Sequence, residues 1–258
     1  MRVGFTMQIA AFFPQSLTAW PGRKSSVVYA PGCNFECKYC YAHSIIADSE
    51  NLETIPQEKI LQELFNGFPE VNSVVISGGE PLLQGKKLVE FLQVLKAEGF
   101  EVKLDTNGSD SVLLEEILGK GLVDFVSIDL KSQINDYSYF KITGKRVNIE
   151  EVWRSIQATK FYCNDYEFRM TFVPALHSHR DVLELSRQLK GAKRFVLQQF
   201  IGSEGTLGKE VEGCPSPSYE KLLKTARQIQ GIEEVRIRTM KGDEIISPIM
   251  QKAGRILF

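Results

Sequence analysis

Short apolar runs that alternate with stretches of helical period constrain this chain more than any other feature. Val27 to Ala30, Ser73 to Ile76, Phe100 to Leu104, Phe125 to Ile128, Phe168 to Val173 and Phe195 to Leu197 are short and mostly apolar, as strands buried in a parallel sheet are. Between them apolar residues recur at helical spacing: Ile60, Leu61, Leu64 and Phe65 after Pro56, then Leu88, Phe91, Leu92 and Leu95 before Gly99. Ser111 to Gly119, Ile149 to Thr159, Arg180 to Leu189 and Tyr219 to Ile229 read as further helices, and Val235 to Arg238 as a last strand. Six such strand–helix units predict an α/β fold in which right-handed crossovers curl a parallel sheet into a complete or partial TIM-like barrel. Residues 132–148, rich in Tyr, Ser and Asn, and 202–217, with Gly and Pro, read as loops. No composition shift divides the 258 residues, so one domain is expected: a lead-in over 1–26 holding a strand or strand pair, a barrel core over 27–240 and a tail over 241–258.

Each apolar run ends in polar residues. Strand C-termini deliver Cys33, then Glu80, then Asp105 with Thr106 and Asn107, then Asp129 and Lys131. Arg169 lies within the fifth strand, His177 just past it, and Gln198 and Gln199 at the sixth. Barrels and open α/β sheets place their ligand crevice at this end of the strands, so these groups are expected to line one mouth. A buried arginine is costly unless it finds an anion, so Arg169 is expected to face the substrate or nucleotide side of that mouth, with a structural ion pair as the alternative. In Ser77-Gly78-Gly79-Glu80-Pro81, two glycines allow positive φ and close backbone approach to a ligand, and Glu80 offers a carboxylate suited to an ammonium group.

Cys33, Cys37 and Cys40 fall within eight residues as C-x3-C-x2-C. Soft thiolates this close select zinc, copper(I) or an iron–sulfur cluster, and three of them leave one position of a four-ligand centre free. Cys163 and Cys214 are isolated and read as free thiols, so the cysteines suit a cytosolic metal site rather than a secreted disulfide framework. His43, His177 and His179 read as loop residues rather than ligands. A formal net charge of −1 gives no support to a general nucleic-acid or membrane-surface role. No apolar run approaches the roughly 20 residues of a membrane helix, and the N-terminus carries no signal-peptide pattern, so a cytoplasmic protein is expected.

The cysteine run, with Tyr39 before its third cysteine, resembles the cluster motif of radical S-adenosylmethionine enzymes, and Gly78-Gly79-Glu80-Pro81 is similar to their second motif. The resemblance extends from about Ala10 to Gln199 and implies a partial (β/α)6 barrel of the radical SAM type. It implies that Cys33, Cys37 and Cys40 hold three irons of a 4Fe–4S cluster, and that the fourth iron is chelated by the methionine moiety of S-adenosylmethionine. The GGEP turn would contact the amino group of that moiety. Asp105-Thr106-Asn107-Gly108 and Asp129-Leu130-Lys131 resemble segments of glycyl-radical-enzyme activases, where they surround the nucleotide's methionine end, some with a monovalent cation. Hard carboxylate oxygens suit such an ion. Tyr39, Gly78, Gly79, Glu80, Asp105, Thr106, Asn107, Asp129, Lys131, Arg169 and Gln198 are thereby the expected nucleotide-binding residues.

On the same resemblance, the reaction is reductive cleavage of S-adenosylmethionine to a 5′-deoxyadenosyl radical, without a side chain as general acid or base. That radical would take the Cα hydrogen of a glycine in a partner enzyme. The Ala10-to-Gly32 stretch and the overall length look most like the longer form of the anaerobic ribonucleoside-triphosphate reductase activating protein, with pyruvate formate-lyase activating enzyme the near alternative. A flavodoxin- or ferredoxin-like donor would supply electrons. Two other readings stay open at this point: a radical enzyme acting on a small molecule or nucleoside, and a non-catalytic zinc-binding or scaffold protein.

Overall fold

The computed structural model describes residues 6–46, 51–202 and 205–246, and nine strands laid side by side in chain order organise it. The strands are β1 (Ala11–Ser16), β2 (Ser25–Ala30), β3 (Ser73–Gly78), β4 (Glu101–Thr106), β5 (Phe125–Asp129), β6 (Tyr166–Phe172), β7 (Arg194–Gln199), β8 (Glu234–Thr239) and β9 (Gly242–Ile246). Neighbours from β2 to β8 are parallel, while β1 and β9 add to the two edges as antiparallel strands. The helices are α1 (His43–Ile46), α2 (Gln57–Gly67), α3 (Lys86–Ala97), α4 (Ser111–Gly119), α5 (Asp136–Thr143), α6 (Ile149–Tyr162), α7 (His179–Gln188) and α8 (Tyr219–Ala226). A parallel sheet of this length needs a crossover between strands, which the helices supply. The expected α/β architecture, a mostly parallel sheet with crossover helices, is what the chain adopts.

Alternation along each strand gives the sheet two different faces. Val28, Val74, Val102, Leu104, Val126, Phe168 and Leu197 point to the face that packs on Leu88, Leu92, Leu114, Ile156 and Leu185 of the helices, in one buried apolar cluster. The opposite face carries Lys103, Asp105, Ser127, Asp129, Glu167, Arg169, Arg236 and Arg238, every second residue of their strands. The register sets Asp105 beside Ser127, Ser127 beside Glu167, Asp129 beside Arg169 and Gln198 beside Arg238. Below that charged layer Trp20, Val27, Val75 and Phe125 form a small apolar plug. The expectation of strands apolar on both faces therefore holds only for one face; the other encloses a polar interior.

Two segments differ from expectation. Within 132–148, expected as loop, α5 forms because Asn135 caps its start by accepting from the Ser138 N–H at 2.8 Å, and Gly144 ends it at φ 68°. Its Tyr139 and Ile142 are buried, so the polar look of the segment belongs to the exposed side of a short amphipathic helix. At the other end β9 begins at Gly242, inside the segment expected as tail, of which residues 247–258 lie outside the described part.

Candidate active site

The cysteine loop leaves the end of β2 and is held from two sides by backbone hydrogen bonds. Glu36 and Lys38 donate to the carbonyls of Thr143 and Ile142 at 2.9 and 3.2 Å, and Gly208 donates to Lys38 O at 2.7 Å. Tyr39 is buried with Ile142, Val173, Leu176, Phe200, Val211 and Cys214 in a second apolar cluster that anchors the middle of the loop. Its ring stands edge-on to His177, centroids 6.0 Å apart. Cys33, Cys37 and Cys40 then line one cavity of about 230 Å³. Burial pushes the thiols up, Cys33 to about 11 and Cys37 to about 12, against the opposing pull of Lys131; Cys40 is also raised by burial.

All the expected nucleotide-binding residues line that cavity except Glu80. Glu80 is fully buried under the mouth, where it accepts from Leu82 N at 3.0 Å, Thr106 Oγ1 at 2.7 Å and Asn107 N at 2.6 Å. Its carboxylate is thus committed to the ends of β3 and β4 and not to an external ammonium. Burial pushes it up to about 7, and these three donors only partly oppose that shift. The glycines before it serve the fold as well. A Cβ on Gly78 would sit 2.3 Å from Ala30 O, and one on Gly79 would sit 1.8 Å from Gly32 O. Close approach of β2 and its loop, rather than of a ligand, accounts for both glycines. Asn107 ties the turn after β4 to the cysteines: Nδ2 donates to Asn34 Oδ1 at 2.9 Å and lies 3.9 Å from Cys33 Sγ.

Charge is concentrated on the next strands. Arg169 donates to Asp129 through Nε at 2.5 Å and Nη2 at 2.9 Å, and the same Nη2 lies 3.7 Å from Asp105 Oδ2. The anion found by this arginine is therefore the protein's own carboxylate, placed opposite it by the β5–β6 register. Burial alone would raise the Asp129 carboxyl, but Arg169 and Lys131 hold it at about 2. Burial opposes the charge on Lys131, but Tyr39, the Asp129 carboxylate 4.0 Å away and the cysteines around it raise the ammonium well above its ordinary range. Gln198 stands where this cavity meets a second one of about 740 Å³, lined also by Leu17, Tyr29, Gln199, Arg236, Arg238, Met240 and Asp243; Ser77, Asp105 and Arg169 are shared by both.

His177 is not a loose loop residue. Nδ1 accepts from Val173 N at 3.1 Å and Nε2 lies 2.9 Å from Lys131 O, so the ring braces the Asp129–Lys131 segment as the neutral Nε2–H tautomer. His179 bonds Thr225 and Gln228 on the outside, and Cys163 and Cys214 are buried thiols. Sequence reasoning passed over Lys103, Glu167 and Arg238. The signal was present in the alternation of Val102-Lys103-Leu104-Asp105, Glu167-Phe168-Arg169 and Arg236-Ile237-Arg238, which marks a polar face opposite an apolar one.

Residues 27–174 match the model of the Radical SAM superfamily. A Methanocaldococcus jannaschii protein provisionally named a glycyl-radical enzyme activating enzyme is 30% identical over 230 residues, 86% of this chain and 92% of the relative. A pyruvate formate-lyase-activating enzyme of Clostridium pasteurianum is 33% identical over 132 residues, 48% of this chain and 52% of the relative. Among solved structures, TYW1 with a lysine-pyruvate adduct bound shares the fold at a TM-score of 0.55 and 15% identity, over 83% of this chain and 75% of that one. With more than half of its length matched, the chain belongs to the Radical SAM superfamily, whose enzymes use a 4Fe–4S cluster and S-adenosylmethionine.

Proposed function

We propose that this chain installs a glycyl radical on a partner enzyme, with Cys33, Cys37 and Cys40 as cluster ligands and the polar mouth beside them as the seat of S-adenosylmethionine. One observation carries the reading: the three thiols share a single cavity with Asp105, Asp129 and Lys131. The donor set fits a cluster better than a lone ion. Among the described residues no three His, Cys, Asp or Glu side chains converge as ligands of a single metal ion, whereas the three soft sulfurs surround a cavity. Raised thiols release their protons when iron takes their place.

When bound, the reduced cluster supplies the electron that splits the sulfonium into methionine and a 5′-deoxyadenosyl radical. The protein's part is to bind and orient. Asp105, Asp129 and Lys131 set carboxylates and an ammonium around the place where a zwitterionic amino acid end would lie. Glu80 acts indirectly, holding Thr106 and Asn107 in register with the cysteine loop. The second cavity, with Leu17 and Met240 exposed on its rim at 67% and 74%, leaves room for a polypeptide loop to reach the mouth. The partner in this reading is anaerobic ribonucleoside-triphosphate reductase, with pyruvate formate-lyase as its competitor. A flavodoxin- or ferredoxin-like carrier would reduce the cluster in the cytoplasm. Among the described residues no helix is long and apolar enough to cross a membrane.

The test is anaerobic reconstitution with iron and sulfide, followed by mixing with each partner, S-adenosylmethionine and a reductant. A glycyl-radical spin-resonance signal is expected in the complete mixture, and Cys33→Ala, Cys37→Ala and Cys40→Ala should each abolish 5′-deoxyadenosine formation. Consumption of a small metabolite with neither partner acquiring the signal would favour the small-molecule reading instead.

A further inference from the structure

Lys103 is a lysine only 1% exposed, on the inner face of β4 between the apolar plug and the mouth. Its Nζ donates to Ala19 O at 2.7 Å and stands over the Phe125 ring at 5.8 Å; it lies 2.8 Å from Asp105 Oδ1 as an ion pair, an oxygen that is buried and accepts no hydrogen bond among the described residues. A carboxylate oxygen and a main-chain carbonyl are the oxygens that a small hard cation collects. The other oxygen of Asp105 lies 3.7 Å from Arg169 Nη2, which also serves Asp129. Two carboxylates at neighbouring strand ends would invite a metal cation, yet each already faces a cation of the chain.

We propose that Lys103 is a built-in counter-ion: its ammonium fills the place beside Asp105 that an alkali cation would take, so that S-adenosylmethionine binds here without K⁺ or Na⁺. This rests on the reading that the nucleotide sits beside Asp105. Lys103 touches neither cavity and is a positioning residue acting through Asp105. A purely structural lysine, pinning the turn at Ala19, would stabilise the fold but leave no link between nucleotide affinity and the salt present. The counter-ion role makes that link, because removing the ammonium leaves a buried carboxylate that an external cation can still satisfy.

The experiment measures the dissociation constant of S-adenosylmethionine for the reconstituted protein in potassium, sodium and tetramethylammonium chloride at equal ionic strength. The unaltered protein should bind equally in all three. Lys103→Met should bind at least about tenfold more weakly in tetramethylammonium and recover in potassium or sodium, the loss expected when a buried carboxylate loses its counter-charge. A parallel thermal melt without nucleotide should show potassium raising the midpoint of Lys103→Met and not that of the unaltered protein. Nucleotide binding by the unaltered protein that collapses in tetramethylammonium would overturn the proposal, as would a Lys103→Met protein indifferent to the salt in both assays. If Lys103→Met does not fold, Lys103→Gln takes its place in both assays, with the same outcomes expected and the same ones overturning the proposal. Failure of the unaltered protein to bind nucleotide in every salt would instead sink the reading of the site, and the melts would still judge the counter-ion.

Discussion

Glu80 and Glu167 are both buried glutamates under the same mouth, 0% and 2% exposed, and the protein accommodates them by opposite means. Glu80, on the β3 side, meets two backbone N–H groups and a hydroxyl, and burial pushes it up to about 7. Glu167, on β6, is also penalised by burial, but Arg238 donates to both of its oxygens at 2.8 and 3.0 Å and carries it well below the usual carboxylate range. Arg238 in turn donates to both oxygens of Asp243 at 2.7 and 2.8 Å, so one guanidinium ties β6 to the β9 edge. The strands that carry the first two motifs are therefore joined by hydrogen bonds to neutral groups, which fix position over short distances. The later strands are joined by a ladder of alternating charge from Lys103 through Asp105, Arg169, Glu167 and Arg238 to Asp243. The difference shows how a barrel interior can stay polar: neutral donors where precise placement of the cysteine loop matters, paired charge where the walls of the larger cavity must hold.

Removing the central guanidinium should have the largest effect on the molecule. Arg238→Met leaves buried Glu167 with the Ser127 hydroxyl at 2.9 Å and the Arg169 guanidinium at 3.8 Å, and Asp243 with Arg236 at 3.7 Å. Losing one partner of a buried pair costs about 3–5 kcal/mol, because the other charge stays behind. Denaturant unfolding should show that loss, and the double variant Glu167→Gln with Arg238→Met should recover part of it. A loss below about 1 kcal/mol would mean that the ladder behaves like a set of exposed pairs.

This contrast also marks what was legible beforehand. The apolar face of each strand, the helical periods and the polar strand ends are local patterns, and they placed the sheet and gathered the mouth residues without any knowledge of pairing. The fate of Glu80 was not legible, because which donors surround a carboxylate depends on the turn after β4 folding back onto β3. Nor was that of Arg169, whose partner Asp129 lies 40 residues away and is fixed only by register. The helix α5 escaped because it is too short to show a clear helical period, with Tyr137 and Phe140 exposed beside buried Tyr139 and Ile142, and β9 because an edge hairpin carries little burial of its own.

His177 sharpens the comparison, since it is a third buried titratable group and is handled like Glu80. Burial lowers it to about 4 from an ordinary value near 6.5, the Lys131 carbonyl only partly opposing the shift. The unfolded chain thus binds more protons between those values, so stability present above pH 6.5 is lost as pH falls through about 4. The shift corresponds to about 3 kcal/mol. A proton on Nδ1 would set two N–H groups against each other at Val173. His177→Gln should flatten the stability curve over that range relative to the unaltered protein, and identical acid slopes would show that the folded ring takes up a proton as readily as the unfolded one.

The smallest expected effect discriminates best, because its sign changes with the mechanism. Glu80→Gln keeps an oxygen for Leu82 and Thr106 but turns an amide N–H₂ toward the Asn107 N–H, leaving buried donors unmatched at a cost of about 1–3 kcal/mol. Glu80 titrates in the fold near 7 and in the unfolded chain near the ordinary value of about 4.5. The folded protein therefore binds the extra proton in that window, and the stability it contributes is present below about pH 4.5 and lost as pH rises through about 7. Glutamine has no such loss, so the penalty of Glu80→Gln should be greatest near pH 5 and shrink, or vanish, by pH 8. The contribution of His177 is common to both proteins and cancels in the difference. A penalty that instead grows with pH would mean that three neutral donors hold the carboxylate ionised as firmly as Arg238 holds Glu167. Hydrogen bonds alone would then do on the β3 side what ion pairs do on the β6 side, and the two walls of the barrel would differ in composition but not in electrostatics.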